Sequence, residues 1–255
     1  MQYSCADGRM QSITTPMNVA IMQPYFFPYI GYYQLFAATD CFVILDDVNF
    51  IKKGWIHRNR ILRGEQECMF TLAINGASQY KLINELTIFE SESTKRAILN
   101  SITVSYQNAP FYEARRALLE DIILFPEENL SHYLSYGLRR LAKYLNLNPR
   151  FIMSSDIPKD ASLAGQDRIV EICKILGAAR YINPIGGITL YEESAFRMSA
   201  IDLLFIKAQS KPYRQFGSAF IPHLSIIDAL MFNRLDQIQE ELMRFKLITT
   251  SQAKQ

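Results

Sequence analysis

The chain has 255 residues, 49% apolar and 20% charged. That is enough apolar material for a full core and excludes a chain disordered throughout. Lys and Arg number 27 against 25 Asp and Glu, a net charge of +2, so overall charge gives no reason to expect a nucleic acid or an anionic membrane as partner.

In chain order, residues 1–16 are polar, with Gly8 and Pro16, and predict a loose tail ahead of one α/β domain over 17–255; Met17 is an alternative start. Residues 19–22 form a short apolar run ended by Gln23-Pro24, the pattern of a buried first strand. A proline-fixed loop follows, then an aromatic and aliphatic helix over 32–38. Residues 41–45 read as a second buried strand, closed by Asp46-Asp47. Strand, loop, helix and strand so close together make a βαβ unit. Such units build parallel sheets that bind ligands outside the carboxyl ends of their strands. Gln23 and the Asp46-Asp47 pair fall at those ends.

Residues 56–62 and 68–74 predict a hairpin turning near Gly64, and 81–89 a weaker extended segment. Helical spacing over 94–106, 112–124 and 129–145 predicts a helical middle section that covers the sheet. A strand over 151–153, a helix over 166–176 capped by Gly177, strands at 181–182 and 201–206, and a closing helix over 226–232 complete the pattern. The expected fold is α/β, Rossmann-like, with a mainly parallel sheet.

Cys5, Cys41, Cys68 and Cys173 include no C-x-x-C pair and read as isolated thiols of a reducing compartment. None of His57, His132 and His223 lies three to five residues from another His or Cys, so no metal site is expected. With no apolar run of 18 residues and no signal-peptide pattern, membrane insertion is not expected and a cytoplasmic location is.

Four segments could carry chemistry. In residues 23–33, Pro24, Pro28 and Gly31 fix the backbone between strand and helix, and the aromatics, Tyr32 among them, could stack on a ligand ring or simply pack in the core. In residues 46–60, Asp46 and Asp47 could orient or deprotonate an amine or hydroxyl. In the same segment Lys53 and Arg58 could hold phosphates, with Trp55 and Asn59 beside them. Adjacent carboxylates in a strand point to opposite faces, so only one of the two can serve. In residues 183–191, the Gly186-Gly187 pair permits close approach of backbone to a ligand, with Tyr191 beyond. In residues 211–228, Ser225 is expected to cap the closing helix with Asp228 completing a capping box, and a triad with His223 is geometrically improbable.

The stretches MQPYFFPYIGYY, DDVNFIKKGWIHRNRIL, INPIGGITLY and FIPHLSIIDALMFN, in this order over about Met17 to Leu247, resemble the WbqC-like family. The resemblance implies a cytoplasmic role in bacterial surface-polysaccharide (O-antigen, lipopolysaccharide) biosynthesis. Histidines are not the family's usual residues at positions 57 and 223, so it implies no histidine base there. The first motif is similar to the strand-to-helix corner of nucleotidylyltransferase-type proteins, with Tyr32 where those carry histidine. The segment around Gly186 and Tyr191 is similar to the bacillithiol-synthesis cysteine ligases. The expected function is transfer of an acyl or aminoacyl group to the amine of a nucleotide-linked amino sugar, with an unknown donor and no assigned cofactor. Gln23 with Asp46 or Asp47 would be catalytic. Tyr32, Lys53, Trp55, Arg58, Asn59, Gly186, Gly187 and Tyr191 would bind substrate. The alternative is a non-catalytic nucleotide-sugar-binding or assembly protein.

Overall fold

A computed structural model describes residues 16–253. The expected tail, apart from Pro16, and Cys5 lie outside the described residues. The first βαβ unit runs β1 (Asn18–Met22), α1 (Ile30–Ala38) and β2 (Cys41–Ile44). β1 is buried through its centre and β2 throughout, as befits parallel strands covered on both faces. A separate antiparallel hairpin follows, β3 (Arg58–Arg63) and β4 (Gln66–Thr71), turning at Gly64 with φ +63°. Residues 81–89 do not form the expected strand. They hold a 3-10 turn (Ile83–Glu85) and isolated bridges from Leu82, Thr87 and Ile88 to neighbouring segments.

The helical middle section consists of α2 (Ser91–Tyr106), α3 (Tyr112–Ile123) and α4 (Leu130–Tyr144). Asn129 caps α4 by accepting from the backbone N–H groups of Ser131 and His132. Then come β5 (Arg150–Met153), α5 (Gly165–Leu176), β6 (Arg180–Pro184), the short α6 (Glu193–Arg197) and β7 (Asp202–Ala208). Gly177 ends α5 in the left-handed conformation at φ +68°, the expected C-cap. The chain closes with α7 (Ile226–Phe232), α8 (Leu235–Leu242), β8 (Phe245–Ile248) and α9 (Thr250–Ala253).

The main sheet has the order β5-β2-β1-β6-β7-β8, with only β8 antiparallel. Counting its strands alone, the chain order across the sheet is 3-2-1-4-5-6, the doubly wound Rossmann-like pattern. Strand alternation divides the core. Val19, Ile21, Cys41 and Val43 join Ile169, Ile172 and Cys173 of α5 and Phe196 of α6 on one face. Ala20, Phe42 and Ile44 face a larger cluster with α1, the middle helices, α7 and α8 on the other.

Candidate functional site at the carboxyl edge of the sheet

In this strand order the connections reverse direction between β1 and β6, and ligands of doubly wound sheets bind in the crevice at that point. The two strands pair only at Asn18 with Arg180 and Val19 with Tyr181. From there β1 stays paired to β2 through Met22, and β6 to β7 through Pro184. The ladder between β1 and β6 therefore ends before their carboxyl halves. Gln23 stands at one lip, and Asn183 with the 3-10 turn Ile185–Leu190 at the other. Among the described residues neither amide side chain makes a hydrogen bond, although Asn183 is only 4% exposed.

Gly187 is required by that lip. A Cβ there would lie 2.2 Å from Asn183 Nδ2, whereas one at Gly186 would meet nothing within 4 Å. The first glycine leaves open space and the second accommodates Asn183. Tyr191, behind the turn, shares a 3.1 Å hydrogen bond with Tyr181.

The adjacent carboxylates lie past the end of β2, where the chain bends, and not in a strand, and they take different partners. Asp46 is 1% exposed, and both its oxygens accept from Ser155, from the N–H at 3.0 Å and from Oγ at 2.8 Å. It fastens the end of β2 to the turn after β5 and is closed off from solvent, which corrects its assignment as a catalytic group. Asp47 instead forms an ion pair at 2.6 Å with Lys159, a lysine whose side chain is 6% exposed. Arg168 of α5 donates to the Asp47 carbonyl at 2.8 Å. Burial alone would raise the Asp47 pKa. The bond from Lys159, the neighbouring Ser154 hydroxyl and the charges of Lys159 and Arg168 outweigh it and hold the carboxyl below its ordinary value. Ser154 Oγ lies near enough to favour the carboxylate, yet neither it nor Asp47 Oδ1 makes a hydrogen bond of normal geometry, and both atoms are buried. The Asp47 side chain as a whole is 17% exposed, so solvent or a ligand reaches the carboxylate at its edge and not at the buried Oδ1.

Two further assignments are corrected. Tyr32 is 1% exposed; its ring packs against Tyr25, Phe36 and Phe42, and its hydroxyl donates to the Gln23 carbonyl at 2.7 Å. It presents no face to a ligand, and acts by pinning Gln23 to the start of α1. Asn59 is 4% exposed and donates from Nδ2 to the carbonyls of Phe26 and Phe27 while accepting from Arg60 N–H. Together with the Phe26 N–H bond to the Ile56 carbonyl, it ties β3 to the loop leaving β1. Arg58 donates to the carbonyls of Lys53 and Gly54, so most of its guanidinium clamps its own turn. Lys53 and Trp55 stay exposed on that turn, with the Arg60 guanidinium 5.4 Å from the indole centroid.

His57 lies against Phe50, with Nδ1 buried and unbonded. Burial first, and the charge of Arg58 second, push its pKa down to about 4. The unfolded chain takes up this proton near pH 6.5 and the folded chain only near 4. Stability is therefore expected to fall as the pH drops from about 6.5 to about 4, and this loss to level off below. Urea midpoints at pH 7 and pH 4.5 check this: the gap between them should narrow in His57→Gln, and an unchanged gap would refute it.

Ser225 caps α7 as expected, accepting from Ile227 N–H and donating to the Phe27 carbonyl at 2.7 Å. Asp228 does not complete a capping box, since the Ser225 N–H is bonded to the Arg60 carbonyl. Its carboxylate is 0% exposed and accepts from Tyr106 at 2.9 Å and from Tyr213 and Gln215 at 2.7 Å each. Tyr106 in turn accepts from the Leu62 N–H.

The doubly wound sheet defines the class: a Rossmann-like α/β protein with its switch point between β1 and β6. The model described as the WbqC-like protein family matches residues 23–240, and the chain belongs to that family. It is similar to the uncharacterized protein Rv1507c of Mycobacterium tuberculosis, at 25% identity over 218 residues, covering 85% of this chain and 93% of the relative. No solved structure matches it. Among the described residues no helix is long and apolar enough to cross a membrane, and no group of three or more His, Cys, Asp and Glu could hold a metal.

Proposed function

We propose that the protein is a transferase of bacterial surface-polysaccharide biosynthesis, acting on the amine of a nucleotide-linked amino sugar with an acyl or aminoacyl donor. The switch point between β1 and β6 carries this reading, because doubly wound sheets take nucleotide ligands outside the strand ends at that position. Family membership supports it. Gln23, half-buried at the end of β1, would offer its amide to sugar hydroxyls or to the acyl carbonyl, and the backbone at Gly186 is open to close approach. Lys53 and Trp55 flank the far side of the loop that leaves β1, and Tyr191 backs the opposite lip.

Asp47 would meet the sugar's amine through the exposed part of its carboxylate. A carboxyl held below its ordinary pKa is a weak proton acceptor, so Asp47 orients the amine instead of deprotonating it. The same property favours, as second reading, a nucleotide-sugar-binding or assembly protein without catalysis. Thermal melts test both. A UDP- or dTDP-linked amino sugar at a hundred times its Kd should add about 2.7 kcal/mol of stability, with no shift from free amino sugar or RNA. Product formation with an activated acyl donor then separates catalysis from binding. Equal shifts with free sugar or RNA would refute both readings.

A further inference from the structure

On the α1 side of the sheet, between the start of α1, the end of β7 and helices α7 and α8, lies a cavity of about 640 Å³. That volume is within the range of small-molecule sites. Its outer wall is the segment 209–224, a long connection without regular structure, of the kind that often carries function. Asp228 and Gln215 hold this wall in place. Asp228 accepts from Tyr213 and Gln215 of the loop, and Gln215 exchanges hydrogen bonds with the backbone of Ile221. The cavity is thus preformed.

Its chemistry is asymmetric. Glu240 and Glu241 on the α8 side are engaged by Arg244, at 3.8 and 2.7 Å. The Lys211 backbone N–H also binds Glu241 at 3.0 Å. Lys211 and Arg214, which line the opposite wall, form no side-chain hydrogen bond or ion pair among the described residues. Aromatic faces stand beside them. Phe220 packs edge-on to Tyr213 at 4.9 Å, and Tyr29 edge-on to His223 at 6.0 Å. His223 itself has φ +58°, an unusual backbone state more often tolerated where a site needs it. Tyr29 is held inward by Gly31: its ring folds back to within 2.3 Å of where a Cβ would stand.

We propose that this cavity binds the base and phosphates of a nucleotide, with Lys211 and Arg214 on the phosphates and Tyr29 and Phe220 against the base. Two cations without a protein partner on one wall can meet an anion, and the flanking rings and volume suit a planar body larger than phosphate alone. The choice of nucleotide rests on the proposed function. The assignment goes beyond it by giving phosphate recognition to this cavity in place of Arg58, whose guanidinium is occupied. Tyr29 and Ile30, which line the cavity, also open α1, the helix that follows Gln23 in the chain.

Calorimetric titration of the full chain with ADP, UDP and pyrophosphate tests this, alongside Arg214→Ala and Lys211→Ala. Both residues are exposed, so the variants should melt like the parent. At least one nucleotide should bind, each variant should weaken it roughly ten- to a hundredfold, and pyrophosphate should bind more weakly than the nucleotide. No binding of either nucleotide, equal affinity in both variants, or pyrophosphate binding as tightly would each overturn the assignment. A nucleotide-linked amino sugar bound undiminished by both variants would sink the cavity and keep the proposed function. Cation-dependent nucleotide binding without any response to the amino sugar would do the reverse.

Discussion

Asp228→Ala is expected to cost about 3–5 kcal/mol of stability, the range for removing one partner from a buried charged network. The carboxylate joins three parts of the molecule: Tyr106 at the end of α2, Tyr213 and Gln215 in the loop wall, and its own α7. Truncation leaves three donors in an enclosed space. Gln215 is 5% exposed and Tyr106 0%, so neither can turn to water, and each unsatisfied group adds its own penalty. Tyr106 could still accept from the Leu62 N–H, which keeps the loss below the sum of three bonds. Asp228→Asn keeps one acceptor oxygen and the volume, and should cost less than half as much. Urea unfolding at pH 7 reads both. A loss under 1 kcal/mol in Asp228→Ala would show that the loop is held by something other than this carboxylate. The nucleotide proposal also predicts that Asp228→Asn, if folded, binds ADP or UDP more weakly without any change in the residues that would touch it, since the wall carrying Arg214 loses its anchor.

The architecture was largely legible before the structure. The two apolar runs at 19–22 and 41–45, separated by a proline-rich corner, specify the βαβ unit. Gly64 and Gly177 mark a hairpin turn and a helix end because each needs a positive φ. The short β8 was not legible. It is the antiparallel edge strand, with a half-exposed pattern that carries little periodicity. The extended reading of 81–89 failed because those residues satisfy their backbone through scattered bridges and a 3-10 turn instead of a ladder.

The candidate site was legible in part. Strand-end position puts Gln23 and the Asp pair at the carboxyl edge, but the pair lies past the end of β2, where alternation does not decide between them. Their different surroundings depend on Ser155 and Lys159, more than a hundred residues downstream, and no local pattern reports that pairing. Tyr32 and Asn59 were misread for a related reason. Aromatic and amide side chains in a motif look the same whether they meet a ligand or hold a corner, and here Asn59 meets the Phe26 and Phe27 carbonyls. Lys211 and Arg214 fall in the segment 211–228, where the sequence points only to the Ser225 cap. Only the fold shows that the neighbouring acidic groups are already paired with Arg244 and that these two cations are not.

The Asp47–Lys159 pair should show the other large effect, and the two halves of the pair should not behave alike. Lys159 also donates to the carbonyls of Ser154 and Ile157, so it organises the turn after β5 as well as balancing Asp47. Lys159→Met removes the charge but keeps the apolar stem. It leaves a largely buried carboxylate facing only Arg168 and Ser154, and should cost about 3–5 kcal/mol. Asp47→Asn keeps the shape but loses the ion pair, and should cost less because its side chain remains 17% exposed and water can reach it. The pH dependence follows the sign of the shift. Because the folded-state pKa of Asp47 is lowered, its contribution is complete above the ordinary carboxyl range near 4. It fades as the pH falls through the lower folded-state value. Lys159→Met should therefore lose its stability deficit relative to the parent in strong acid, where the carboxylate is protonated in both. On the functional side, Asp47→Asn should abolish the thermal response to a nucleotide-linked amino sugar by at least tenfold in apparent affinity while leaving the response to ADP or UDP intact. Loss of both responses in a variant that melts like the parent would place the carboxylate at the nucleotide, and retention of both would remove Asp47 from the sugar's path.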